Sequence, residues 1–205
     1  MNLHISNGRV IDPASGLDAV QDLFVSEGKI VAIGQAPAGF QAQQVIDASG
    51  KIVAPGLVDL SARLREPGFE YKATLESELQ AAMRGGVTSL VCPPDTDPVL
   101  DESGLVEMLK QRAKMQAKAH VYPLGALTTG LQGENLTEMA ALTEAGCVGF
   151  SQAEIAIVDT NVLQRALSYA ATFGYTVWLR PQDAFIGKGG VAHSGPLASR
   201  LGLSG

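Results

Sequence analysis

From Leu57 onward, short, mostly apolar runs alternate with amphipathic stretches, and this rhythm restricts the fold more than any other feature of the chain. The runs are Leu57–Leu60, Val87–Cys92, His120–Leu124, Cys147–Phe150 and Thr176–Leu179. Val, Leu and Cys without polar alternation suit strands buried on both faces, as in parallel sheets. Between the runs the spacing is helical. Leu75, Leu79, Ala82 and Met83 share a face, as do Leu105, Met108, Leu109 and Ala113, and again Val162, Leu163, Ala166, Leu167 and Ala170. Strand–helix alternation predicts βα units and a parallel sheet, an α/β fold. A closed (β/α)8 TIM-type barrel takes about 250 residues. With five of eight strands legible, the pattern predicts either an open α/β sheet or a partial barrel, and periodicity does not separate them.

Residues 1–54 carry a different pattern, a small β-module with no helical period. Leu3–Ser6 and Arg9–Ile11 flank Asn7-Gly8, a strong hairpin signal because both residues tolerate positive φ. Glu27-Gly28 separates Leu23–Val25 from Lys29–Ile33, and Ser49-Gly50 separates Val45–Asp47 from Lys51–Val53. The expected organisation is a β-module over 1–54 and a βα domain over 55–205.

Composition narrows the partners. With 46% hydrophobic and 18% charged residues the chain has a globular balance. A net charge of -6 argues against nucleic acid or an anionic membrane as the main partner, since both need clustered cations. No apolar run of about 18 residues predicts a membrane span, and the start, MNLHISNGRVID, lacks the pattern of a signal peptide. The two cysteines, Cys92 and Cys147, sit in apolar runs without a CxxC spacing. They read as buried thiols in a reducing cytoplasm. Walker, GxGxxG and Gly-x-Ser-x-Gly patterns do not occur.

Four segments carry a resemblance: PGLVDLSARLREPG (55–68), GGVTSLVCPPDTDPVLD (85–101), VYPLGALTTGLQGENLTEMAALTEAGCVGFS (121–151) and VAHSGPLASRLGLSG (191–205). In order and over essentially the whole chain, they resemble dihydroorotases of the cyclic amidohydrolase superfamily. The resemblance implies a barrel with an N-terminal β-module. It also implies a family chemistry in which two zinc ions and a bridging hydroxide interconvert carbamoyl aspartate and dihydroorotate. Metals in such sites lower the pKa of the bound water and polarise a carbonyl.

The same resemblance places the family's ligands on residues of the wrong type. The first strand of the family ends in Asp-x-His-x-His-x-Arg, where this chain reads Asp59-Leu60-Ser61-Ala62-Arg63-Leu64-Arg65. Residues 61 and 63 project from the same face of a strand, so the pair would have served one metal. Ser61 is a poor neutral ligand, and Arg63 brings a permanent positive charge. Opposite a cation at ~4 Å, that charge is repulsive by several kcal/mol at the effective dielectric of protein sites. The family's bridging carboxylate stretch, Phe-Ser-Asp-Asp-Gly-like, reads Phe150-Ser151-Gln152-Ala153-Glu154, and its next histidine falls on Arg180. Gln152 and Ala153 thus replace the aspartates, and Glu154 is the one nearby carboxylate. Arg65 matches the arginine that grips the substrate carboxylate, with an ion pair to Asp59, Glu66 or Asp95 as the plain structural alternative. Asp95 stands at the family's substrate-binding asparagine. His4, His120 and His193 show no HxH or HExxH spacing and read as hydrogen-bonded or solvated.

The expectation is therefore a cytoplasmic, non-catalytic pseudoenzyme of pyrimidine biosynthesis that holds no metal cofactor. The resemblance extends to homologues bound to the aspartate transcarbamoylase catalytic subunit, which implies a structural role in a hetero-oligomer. Two alternatives stand beside it. One is an active amidohydrolase with an altered metal site using Glu154, Asp59 and His193. The other is a truncated fragment, whose fifth strand would be an exposed, aggregation-prone edge.

Overall fold

A computed structural model describes residues 1–186 and 188–204. The chain forms two compact units, Met1–Gly56 and Leu57–Gly205.

In the first unit, β1 (Asn2–Asp12), β2 (Leu17–Ser26) and β3 (Lys29–Ile33) form an antiparallel meander. The hairpin expected at Asn7-Gly8 is absent, because β1 runs straight through it. Asn7 does take a positive φ of 62°, but the geometry makes a bulge, with the register shifting between Ile5 and Gly8. Asp22 on β2 fixes the bulge by accepting the Asn7 backbone N–H at 3.0 Å. The chain reverses instead at residues 13–16, where the Asp12 side chain accepts from Ala14 N–H and the Ser15 hydroxyl. Glu27-Gly28 is the tight turn its sequence indicates, with φ of 51° and 75°. Ser49-Gly50 is not a hairpin. β4 (Gln44–Asp47) and β5 (Ile52–Val53) flank it and both run parallel to β1, pairing with successive parts of that long strand. Val10, Leu23, Phe24 and Ala48 are buried at the centre of this unit, and the His4 ring stacks on Phe24 at 4.6 Å.

The second unit is built on parallel strands: β6 (Leu57–Asp59), β7 (Val87–Cys92), β8 (His120–Pro123), β9 (Gly125–Ala126), β10 (Phe150–Ser151) and β11 (Val177–Trp178). β8 and β9 are consecutive parts of one extended run that changes partner at Leu124. The Leu124 N–H donates to Cys92 O on one side, and the Gly125 N–H donates to Gly149 O on the other. The two three-stranded sheets thereby join into an arc of five strands in chain order, the arrangement of a partial βα barrel.

Helices α1 (Leu75–Arg84), α2 (Ser103–Met115), α3 (Met139–Ala145), α4 (Thr160–Phe173) and α5 (Pro196–Leu201) lie between or after these strands. α1 starts at a reciprocal capping box, Thr74 with Ser77, and α4 starts at Asp159, whose carboxylate accepts the Asn161 N–H at 2.8 Å. The apolar stripes are narrower than their spacing suggests. Leu75 and Leu79 are buried but Met83 is exposed; Val162, Ala166 and Ala170 are buried but Leu167 is exposed. Sequence periodicity did not identify α3, which is only seven residues long. It buries Met139, Leu142 and Ala145 and ends at Gly146 in the left-handed region, φ 108°. Leu64, Leu79, Leu109, Met139 and Phe150 form the centre of one continuous core. Among the described residues, no helix is long and apolar enough to cross a membrane.

Candidate functional site

In βα architectures, the loops at the C-terminal ends of the strands build the site. Here those loops are 60–65 after β6, 93–98 after β7, 152–155 after β10 and 179–182 after β11. They surround a cleft of about 240 Å³ whose walls include Leu60, Ser61, Arg63, Glu154, Trp178 and Arg180. A larger hollow of about 550 Å³ lies beside the end of α2 and the start of β8, lined by Lys110, Lys114 and His120. That hollow is at the opposite end of the strands, so the smaller cleft is the better candidate on chemistry.

Arg63 leaves β6 and reaches across to the loop after β7, where its Nε donates to Asp95 Oδ2 at 2.7 Å. Both side chains are mostly shielded, 27% and 29% exposed. That hydrogen bond is the main reason the Arg63 guanidinium is held above its usual pKa, so its charge is permanent. Arg63 Nη2 lies 3.4 Å from Glu154 Oε1. The same oxygen accepts Arg180 Nη1 at 2.8 Å. Two cations and two carboxylates therefore close into one chain of contacts, Asp95–Arg63–Glu154–Arg180, with no net charge.

The remaining residues singled out from the sequence divide between this cleft and the protein interior. Ser61 lines the cleft, and its backbone N–H donates to Asp59 Oδ1 at 2.9 Å. Gln152 is buried at 1% exposure, and its amide is committed to structure. Its Nε2 donates to Thr128 Oγ1 at 2.8 Å and to Leu131 O at 2.9 Å. Ala153 lies between Gln152 and Glu154 with a φ of 51°, a conformation unusual for a residue with a Cβ. Arg65 has a φ of 64° as well and lines a narrow crevice with Phe69 and Thr96. The ion-pair partners considered for Arg65 are engaged elsewhere: Asp95 with Arg63, Glu66 with Arg112 and the Leu75 N–H, and Asp59 with Ser61. The Asp95 carboxylate, which the resemblance puts at a substrate-binding position, is held in this structure by the Arg63 guanidinium. His193 and His120 are exposed, and His4 lies 2.9 Å from Asp22.

This donor set does not fit a pair of zinc ions. A zinc centre needs imidazoles and carboxylates with free lone pairs converging on one point. The cleft presents two guanidiniums that already consume the nearest carboxylates. Among the described residues, no three His, Cys, Asp or Glu side chains gather as a ligand set.

Residues 50–205 match the family model described as Dihydro-orotase-like. The chain belongs to the dihydroorotase-like family. It is 53% identical over 205 residues to the "Dihydroorotase-like protein" of Pseudomonas aeruginosa, covering all of this chain and 48% of that one. It is 40% identical, with the same coverage, to the "Dihydroorotase" of a Geobacter species. The chain thus spans about half the length of the curated relatives it matches. Among solved structures, L-hydantoinase from Arthrobacter aurescens superposes with a TM-score of 0.78 at 22% identity, covering 91% of this chain and 42% of that one. That likeness is one of fold, and it places the five-strand arc and the β-module within the fold of a larger chain.

Sequence reasoning located the cleft but missed its internal pairing. Each loop that brings an arginine into the cleft is matched by a carboxylate on another loop, Asp95 for Arg63 and Glu154 for Arg180.

Proposed function

We propose that the chain is a dihydroorotase-like protein of pyrimidine biosynthesis that does not catalyse the family reaction. In this reading it works as a structural component of an assembly with the aspartate transcarbamoylase catalytic subunit, without zinc. The observation that carries the non-catalytic part is that Arg63 and Arg180, standing where the resemblance puts histidine ligands, are both paired with Glu154, the carboxylate nearest them across the cleft. The transcarbamoylase partner rests on the resemblance alone.

A second reading is favoured by the 40% identity to proteins named dihydroorotase. In that reading the cleft is an altered but working amidohydrolase centre using Asp59, Glu154 and His193. Co-purification with aspartate transcarbamoylase and a carbamoyl aspartate assay separate the two. The scaffold reading expects a transcarbamoylase assembly whose mass falls when this chain is omitted, and no turnover by the chain alone. An unchanged assembly without the chain rejects the scaffold role, and metal-dependent turnover by the chain favours the second reading.

A further inference from the structure

The cleft places two guanidiniums around one carboxylate oxygen. Glu154 Oε1 lies 2.8 Å from Arg180 Nη1 and 3.4 Å from Arg63 Nη2. Planar, permanently charged donors directed at one point make an anion-binding arrangement, and a carboxylate is the group that best matches such a fork.

The two arms differ in how firmly they are held. Arg63 is only 27% exposed and is clamped through Nε by Asp95, which leaves Nη2 turned to the cleft. Arg180 and Glu154 are 63% and 56% exposed. Exposed ion pairs contribute little net stability, because water and lost side-chain freedom offset the attraction. Glu154 can therefore leave the two arginines at small cost.

The walls restrict the kind of ligand. Leu60, Pro93, Leu124, Trp178 and Leu179 supply apolar surface around the charged pair. Asp95, fixed against Arg63, is a standing negative charge that opposes a dianion more than a monoanion.

We propose that Arg63 and Arg180 form a binding site for a small monocarboxylate with a short apolar body, and that Glu154 is its built-in occupant, displaced when the ligand enters. This inference rests on the geometry of the cleft and is independent of the transcarbamoylase reading.

Trp178 is the chain's single tryptophan and lines the cleft, so its fluorescence reports directly on occupancy. The test is a titration of the full chain with sodium butyrate at constant ionic strength, with sodium chloride and inorganic phosphate as contrasts. The expected result is a saturable change in Trp178 emission with butyrate. Removing the internal competitor in Glu154→Gln should tighten binding about tenfold, and removing one arm in Arg180→Gln should weaken it about tenfold, each the scale of one charge-assisted contact. The proposal is overturned by an absent or non-saturable response in both wild type and Glu154→Gln, or by equal affinity in Arg180→Gln. It is also overturned if chloride or phosphate acts as well as butyrate. Should Glu154→Gln fail to fold, the comparison of wild type with Arg180→Gln decides alone.

Discussion

Arg63 Nε and Asp95 Oδ2 lie 2.7 Å apart, tying the loop after β6 to the loop after β7. The pair is mostly shielded from water, whereas Arg180 and Glu154 are more than half exposed. Burial therefore divides one ion cluster into a structural half and a labile half. Asp95→Asn leaves a shielded guanidinium without its counter-charge and should lower stability by about 1–2 kcal/mol, after allowing for partial exposure. Arg180→Gln should cost less than about 1 kcal/mol. Urea denaturation of the two variants checks the order, and equal losses would show that the division is wrong.

Metal dependence follows from the same cluster. A protein stabilised by a bound ion melts lower in a chelator, because ligand binding to the folded state adds stability by mass action. With arginines and no convergent donor set in the cleft, the melting temperature should be unchanged by EDTA or by added zinc. Replacing Ser61, Arg63 and Arg180 together by histidine puts imidazoles on the loops after β6 and β11, and zinc should then raise the melting temperature. Arg63→His alone should not, since Arg180 and the committed Glu154 remain. Calorimetric titration with zinc sulfate checks both, and tight zinc binding by the unaltered chain would contradict the expectation.

The parts of the fold that sequence revealed are those where one residue pattern has one structural use. Val87–Cys92 emerged with its bounds intact because a run rich in β-branched and apolar residues, flanked by Gly86 and Pro93, suits a strand. Asn7-Gly8 misled because its physical content is only a tolerance for positive φ, and a bulge uses that as readily as a turn. The same holds for Ser49-Gly50, where pairing of both flanks with the long strand β1 overrode the local signal. In the cleft, the positions of Arg63 and Arg180 were legible from the family pattern. Their pairing with Asp95 and Glu154 was not, because contacts between residues 32 and 26 positions apart leave no local trace.

The two thiols give a pH prediction with a definite sign. Burial pushes Cys92 up to about 11 and Cys147 up to about 12, against about 8.5 for an unfolded cysteine. Each therefore favours the folded state fully below about pH 8.5, and that contribution is lost as pH rises toward the folded values. Near pH 8 both thiols should resist Ellman's reagent in the native protein and react on unfolding in urea, because only the accessible thiolate is nucleophilic. Rapid labelling of either thiol in the native state would show that the cores around β7 and α3 open freely.

Gly125 sets how closely β9 and β10 pack. A Cβ at this position would stand 2.8 Å from Phe150 Cε1 and 3.1 Å from Leu142 Cδ1. Phe150 is fully buried and wedged beside Tyr175, with ring centroids 5.4 Å apart, so it has little room to yield. Gly125→Ala should therefore lower stability by about 1–3 kcal/mol, the range for overpacking a dense core. Pairing it with Phe150→Leu shortens the obstructing side chain, so the double variant should lose less than the two single losses combined. A urea-denaturation double-mutant cycle measures that coupling. Strict additivity would mean that the glycine is required for a reason other than the ring beside it.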